Sequence, residues 1–215
     1  MKKLAIEFLA AVLLIVVLCV HALAATNVWL FYGLGGQWTS PGIDQIARKA
    51  RTLSGVGRVA TYNYTQTQQV YNEILASPPG DQVVIVGYSC GGNSAAVVSS
   101  SLPRPNYIAG IQPSLWCGSY STAANTRVAQ DTYASCAMTW GLGCAKYYGA
   151  AQKIVLIERP DLHPDADTDP NTQADVLGLI YAVANPSRAH FAINRLARSA
   201  HFVRYNGQKV WLRER

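Results

Sequence analysis

Apolar and polar residues alternate along this chain in blocks whose lengths and periods predict strands and helices in turn. Asn27-Val-Trp-Leu-Phe-Tyr32 is a short apolar run that ends in Gly33-Leu-Gly-Gly36, the pattern of a buried strand running into a tight loop. In the stretch from Ile43 to Leu53, the apolar positions 43, 46, 47, 50 and 53 share one helical face, and Pro41 suits a helix start. Arg58 to Tyr62 reads as a second strand. Gln66 to Ala76 reads as a second helix, stopped by Pro78-Pro79-Gly80. Gln82-Val-Val-Ile-Val-Gly87 carries four consecutive β-branched residues, as a strand buried on both faces of a parallel sheet requires. Gly92 to Ser101 follows as a small-residue helix, then Tyr107 to Ile111 and Lys153 to Glu158 as the fourth and fifth strands, and Gln173 to Ala184 as a last helix. Strands alternating with helices predict a single doubly wound α/β domain with a mostly parallel sheet. The segment 114–151, rich in glycine, aromatic residues and cysteine, is expected to be a lid.

The first residues follow a different pattern. Met1-Lys2-Lys3 is followed by an apolar run from Leu4 to Val20, interrupted only by Glu7, and then by Ala22-Leu23-Ala24. A basic start, an apolar stretch and an Ala-x-Ala site predict a signal peptide over residues 1–24, leaving 25–215 as the exported domain. An uncleaved membrane anchor is the alternative, because the run approaches the length that spans a bilayer. The 215 residues suit one domain, and a chain that is 50% hydrophobic and 14% charged is not that of a disordered protein.

Removing two lysines and one glutamate with the leader lowers the formal charge from +6 to +5. The excess gathers at Arg188, Arg195, Arg198, Arg204, Lys209, Arg213 and Arg215, against Glu214 alone. Such a cluster allows peripheral contact with a membrane, but no nucleic-acid motif accompanies it and no nucleic-acid partner is expected. Cys90, Cys117, Cys136 and Cys144 remain after export, where disulfides form. Cys90 is expected to be a buried free thiol, with one bridge among the other three.

The chemistry centres on Gly87-Tyr88-Ser89-Cys90-Gly91-Gly92, which fits G-x-S-x-G. A sharp strand-to-helix turn lifts such a serine above the sheet, and the helix N-terminus behind it favours negative charge. The pentapeptide alone is a weak signal. The β-branched strand before it and the small-residue helix after it supply the context the motif needs.

With these residues the mature chain resembles the α/β-hydrolase superfamily, in particular small lipase- and esterase-like serine hydrolases. The resemblance implies an acyl-enzyme formed on Ser89 and no cofactor. Tyr32-Gly33-Leu34-Gly35-Gly36 resembles the oxyanion loop, with Tyr32 in place of the usual histidine, and implies the backbone N–H groups of Leu34 and Cys90 as the oxyanion donors. The superfamily order of serine, acid and histidine leaves His163, His190 and His201 as candidate bases. His190, in Ser187-Arg-Ala-His-Phe-Ala-Ile193, is the first choice, because a His-Phe pair followed by an apolar residue resembles the catalytic-histidine loop of small lipases. His201 repeats that pattern. His163 stands among carboxylates and reads as a surface residue.

The acid is expected after the fifth strand, with Asp161 first and Asp165, Asp167 and Asp169 behind it. Some lipases place it one strand earlier, in a Leu-Asp-Pro pattern, but this chain has Ile111-Gln112-Pro113 there. A glutamine can orient an imidazole without stabilising its charge, and the comparable loss of charge costs a serine protease about 10⁴ in kcat. Asp165-Ala-Asp-Thr-Asp169 imitates the start of a calcium loop. Pro170 where glycine is needed and Val176 where glutamate is needed make it a solvated acidic loop instead. Trp38, Trp116, Trp140, Tyr147 and Tyr148 are candidates for an acyl pocket or for core packing. The expected reaction is hydrolysis of a small-molecule or lipid-like ester or thioester. The rivals are an acyltransferase and a non-catalytic exported binding protein on the same fold.

Overall fold

A computed structural model of the chain describes residues 24–136, 141–188, 202–205 and 208–210. The signal-peptide reading therefore lies almost wholly outside the described residues. Among them, no helix is long and apolar enough to cross a membrane.

Six parallel strands form the centre of one sheet: β1 (Thr26–Phe31), β2 (Val56–Tyr62), β3 (Gln82–Tyr88), β4 (Asn106–Ile111), β6 (Thr126–Tyr133) and β8 (Lys153–Glu158), in the spatial order β2-β1-β3-β4-β6-β8. Two short strands, β9 (Phe202–Tyr205) and β10 (Gln208–Val210), extend the β8 edge in antiparallel fashion. A separate pair, β5 (Ser121–Thr122) and β7 (Tyr148–Gly149), lies outside the main sheet. Among the described residues, the α-helices α1 (Pro41–Ala50), α2 (Thr67–Ala76), α3 (Cys90–Ser101) and α4 (Pro170–Ala184) connect these elements.

The alternation of side chains along a strand sorts the core into two layers. Val28, Leu30, Val84, Val86 and Ile111 pack with Ile43 and Ile46 of α1 and Val176, Leu179 and Ile180 of α4. Trp29, Phe31, Val83, Ile85 and Ile108 face the other way, onto Val70 and Ile74 of α2 and Ala95, Ala96 and Val98 of α3. Both faces of β3 are therefore covered, which accounts for its unbroken β-branched run: Val83, Val84, Ile85 and Val86 are all fully buried. The α/β architecture with a mostly parallel sheet flanked by helices, read from the sequence, is the architecture observed, and it is compatible with a doubly wound fold.

One expectation needs correction. The segment 114–151 contains β6, a strand of the central sheet with Ala129, Gln130, Asp131 and Thr132 buried, so it is not a lid as a whole. The loops around β6 are tied down by two disulfides, Cys90–Cys117 and Cys136–Cys144. Cys90 is thus not a free thiol, and Cys90, Cys117, Cys136 and Cys144 are all paired.

In a parallel sheet, every strand-to-helix loop leaves from the same edge. Here that edge gathers the loops after β1, β3, β4, β6 and β8, where chemistry is usually found in open α/β sheets.

Candidate active site

Ser89 sits between β3 and α3 at φ 54°, ψ −124°, a conformation L-residues seldom adopt. Its neighbours explain how it is held. A Cβ on Gly87 would overlap the Gly91 carbonyl, and one on Gly91 would lie 2.5 Å from the Phe31 carbonyl oxygen. Both obstacles are backbone and cannot swing aside. The Ser89 N–H donates to the Ile111 carbonyl at 2.9 Å, and the Ser89 carbonyl accepts from the Gly92 N–H at 2.9 Å. The strained turn is thereby fixed from both ends, with the side chain at the start of α3.

The Ser89 Oγ lies 2.9 Å from Nε2 of His163, and Nδ1 of the same ring lies 3.1 Å from Oε1 of Gln112. All three residues are buried. The Gln112 amide also donates from Nε2 to the Asp161 carbonyl at 3.1 Å. A carbonyl only accepts, so this bond turns the NH₂ group toward Asp161 and the amide oxygen toward His163. Oε1 likewise only accepts, so the proton of a neutral imidazole sits on Nδ1, and Nε2 is left as the acceptor facing the serine hydroxyl. Burial pushes the His163 pKa down to about 4, which keeps the ring in that neutral form at ordinary pH.

The expected triad and the observed cluster therefore differ. His163, read as a surface residue, is the histidine brought to Ser89. His190 and His201 lie outside the described residues. Asp161 supplies its backbone carbonyl to Gln112, while both ring nitrogens of His163 are already engaged by Ser89 and Gln112. The Asp161 carboxyl pKa is raised by burial, and its Oδ2 has no hydrogen-bond partner. Asp167 is turned inward, where Oδ2 accepts from the Gly42 N–H at 2.8 Å at the start of α1; burial raises its pKa to about 6. Asp169 caps α4 by accepting from the Thr172 N–H at 2.6 Å. Gln112 is the residue in the orienting position. It is also the only non-glycine residue besides Ser89 with positive φ among the described residues, at 46°.

Two supporting residues were not legible in the sequence. Tyr88 holds His163 twice: its hydroxyl donates to the His163 carbonyl, and its ring stacks on the imidazole with centroids 5.1 Å apart. Gly143 backs the orienting bond, because a Cβ there would overlap Gln112 Oε1 and lie 2.6 Å from His163 Nδ1. It stands in the loop closed by Cys136–Cys144 and its carbonyl accepts from the Ala134 N–H at 2.9 Å. The close approach of Gly143 to a polar pair is the only trace either residue leaves, and it requires the fold to be seen.

The loop after β1 comes directly over Ser89, where a Cβ on Gly33 would lie 3.0 Å from Ser89 Cβ. The Gly33 N–H is already used, donating to Ser40 Oγ at 3.0 Å. No hydrogen bond occupies the N–H groups of Leu34 or Cys90 among the described residues. Tyr32 does not face the site; its hydroxyl donates to Asp44 at 2.6 Å. Tyr147 is buried in the core, donating to the Gly92 carbonyl at 2.7 Å, whereas Trp38, Trp116 and Tyr148 are exposed and Trp140 lies outside the described residues. No group of three or more His, Cys, Asp or Glu is placed to hold a metal ion among the described residues.

No protein-family model matches the chain, and no curated protein matches it at a significant level.

Proposed function

We propose that this protein is a serine hydrolase of the α/β-hydrolase type that cleaves carboxylic ester or thioester bonds, with Ser89 as nucleophile, His163 as base and Gln112 orienting His163. The observation that carries this reading is the relay from Ser89 Oγ through the His163 ring to Gln112, at 2.9 and 3.1 Å, on a strained turn between strand and helix. Serine is a weak nucleophile until an adjacent base takes its proton, and the geometry here is the one that requires.

In the proposed reaction, Ser89 Oγ attacks the acyl carbon as its proton passes to His163 Nε2. The developing oxyanion is received by the N–H groups of Cys90 and Leu34, where each donor is worth about 3–4 kcal/mol in the transition state. The protonated ring returns the proton to the leaving alcohol or thiol. Water then attacks the acyl-enzyme and loses its proton to Nε2; the bond from the acyl carbon to Ser89 Oγ breaks, Oγ takes that proton back from the ring, and the acid is released. Gln112 holds the ring and its tautomer but offers only a dipole to the imidazolium. The reading therefore implies a slower enzyme than one with a carboxylate in that position. Export of the domain after loss of residues 1–24 is part of the same proposal, supported by two disulfides, which persist outside the reducing cytosol.

The uncharged orienting residue also favours a second reading, in which the fold serves as a binding surface without turnover. Hydrolysis of p-nitrophenyl butyrate separates the two. Ser89→Ala and His163→Ala should each abolish turnover, and the double variant should be no worse than either alone, because groups acting as a unit are not additive. A wild-type protein that is folded but inactive on short and medium acyl esters supports the binding reading.

A further inference from the structure

A serine whose proton passes to His163 leaves a positive charge on a buried ring. Among the described residues, no carboxylate is hydrogen-bonded to that ring: Nε2 faces Ser89 Oγ at 2.9 Å, and Nδ1 faces the uncharged Gln112 at 3.1 Å. Burial lowers the His163 pKa to about 4, so the protonated ring is costly in this position. Both polar edges of the imidazole are taken by neutral groups. What remains is the face of the ring, and Tyr88 covers it.

The strand period puts the tyrosine there. Val84, Val86 and Tyr88 share one face of β3, the face that packs on α1 and α4. The two valines lie within the core, and Tyr88 ends the row at the sheet edge to which the loop after β8 brings His163. Its hydroxyl donates to the His163 carbonyl, and its ring stacks on the imidazole with centroids 5.1 Å and planes 29° apart. The loop after β1 backs the phenol ring, since a Cβ on Gly33 would lie 3.2 Å from Tyr88 Cδ1. Tyr88 is buried, and that burial, with the Asp167 and Asp165 carboxylates, pushes its hydroxyl pKa upward. The ring is therefore a neutral phenol, held by its hydroxyl bond and its packing.

An aromatic ring carries negative charge on its faces and positive charge at its edge. A cation within about 6 Å of the ring centroid is attracted to the face, and more strongly where water is excluded. Neutral imidazole gains little from this attraction, whereas imidazolium gains it in full. The contact thus strengthens as the proton arrives, and an interaction stronger in the transition state than in the ground state is one that lowers the barrier. We propose, on the hydrolase reading, that Tyr88 is a positioning residue whose ring face stabilises the His163 imidazolium, and that it supplies part of the stabilisation a carboxylate in place of Gln112 would give.

The test replaces Tyr88 by phenylalanine and by its mono-, di- and trifluorinated analogues, with p-nitrophenyl butyrate as substrate. Tyr88→Phe keeps the ring face and loses only the hydroxyl bond, so most of the turnover should remain. Ring fluorination drains negative charge from the face while barely changing its shape. Across the fluorinated series kcat should therefore fall step by step with KM nearly constant, to roughly 5- to 30-fold below Tyr88→Phe, the size of a desolvated cation–π contact. Tyr88→Leu, which has no ring, should fall at least as far. Melting curves show that each variant is folded. A purely structural tyrosine would not follow the fluorine count. A kcat that stays at the Tyr88→Phe level through the series, or wild-type kcat in a folded Tyr88→Leu protein, overturns the proposal and leaves the hydrolase reading standing. Wild-type protein that is folded but hydrolyses no ester rejects both.

Discussion

Gly143→Ala is a small change whose consequence the geometry makes specific. The backbone at Gly143 is not in the left-handed region, so alanine meets no conformational penalty there and the effect is one of space alone. The added methyl would overlap Gln112 Oε1 and stand 2.6 Å from His163 Nδ1, a distance real contacts do not show. The two polar groups it meets are the two ends of the 3.1 Å orienting bond. Ser89 holds the far side of the ring, and Tyr88 holds its face and its carbonyl, so the bond to Gln112 is the one that yields. A neutral hydrogen bond is worth about 0.5–1.5 kcal/mol net, which corresponds to roughly 2- to 15-fold in rate if the loss falls on the transition state. The loss should be far smaller than the 10⁴ that accompanies removal of a triad charge, because Gln112 supplies none. Steady-state kinetics on p-nitrophenyl butyrate should show a fall in kcat with KM nearly constant, while the melting temperature moves by only a few degrees. Wild-type kcat in a folded Gly143→Ala protein would refute the claim that the Gln112–His163 bond orients the base.

Three further outcomes follow from the same contacts. Burial holds the His163 pKa at about 4, so the acid limb of kcat/KM should fall near pH 4; Gln112→Glu, by placing a carboxylate beside Nδ1, should move it upward, and a wild-type limb at or above pH 6.5 contradicts the burial argument. His163 and Asp167 act oppositely on stability: the lowered His163 pKa makes stability fall as pH drops from about 6.5 toward 4, whereas the raised Asp167 pKa makes stability fall as pH rises from 3.8 through about 6. Asp167→Asn removes the second effect, so denaturant melts should show stability climbing more steeply between pH 4 and 6 than in the wild type, and an unchanged slope contradicts it. Replacing Cys90 and Cys117 together by serine opens a link across 27 residues and should cost roughly 3–4 kcal/mol in urea unfolding, with an unchanged midpoint as the contrary result.

The strands and helices were largely legible because their signals are local: four β-branched residues for β3, a helical stripe for α1, glycines around a serine for the elbow. Strand β6 was not, because buried Gln130, Asp131 and Thr132 place polar residues on both of its faces, where Asp131 accepts from the Tyr147 N–H. Ser89 and the departure at Gln112 could both be read from the chain. His163 was missed because the carboxylates beside it look like a solvated loop; two of them are in fact turned inward or used as a helix cap. Topology held the missing signal. A histidine in the loop after a parallel strand is delivered to the same sheet edge as the elbow serine, whatever its sequence neighbours suggest. The pairing of Cys90 depends on the loop after β4 folding back over the start of α3, which no local pattern encodes.

Treatment of the purified protein with a fluorophosphonate probe, followed by peptide mapping, tests the central claim most directly, because the probe reacts only with a serine whose proton can be taken. The account predicts a single adduct on Ser89 that disappears in a folded His163→Ala variant and persists in His190→Ala. An adduct on another serine, or labelling of Ser89 that survives His163→Ala and is lost in His190→Ala, would contradict it.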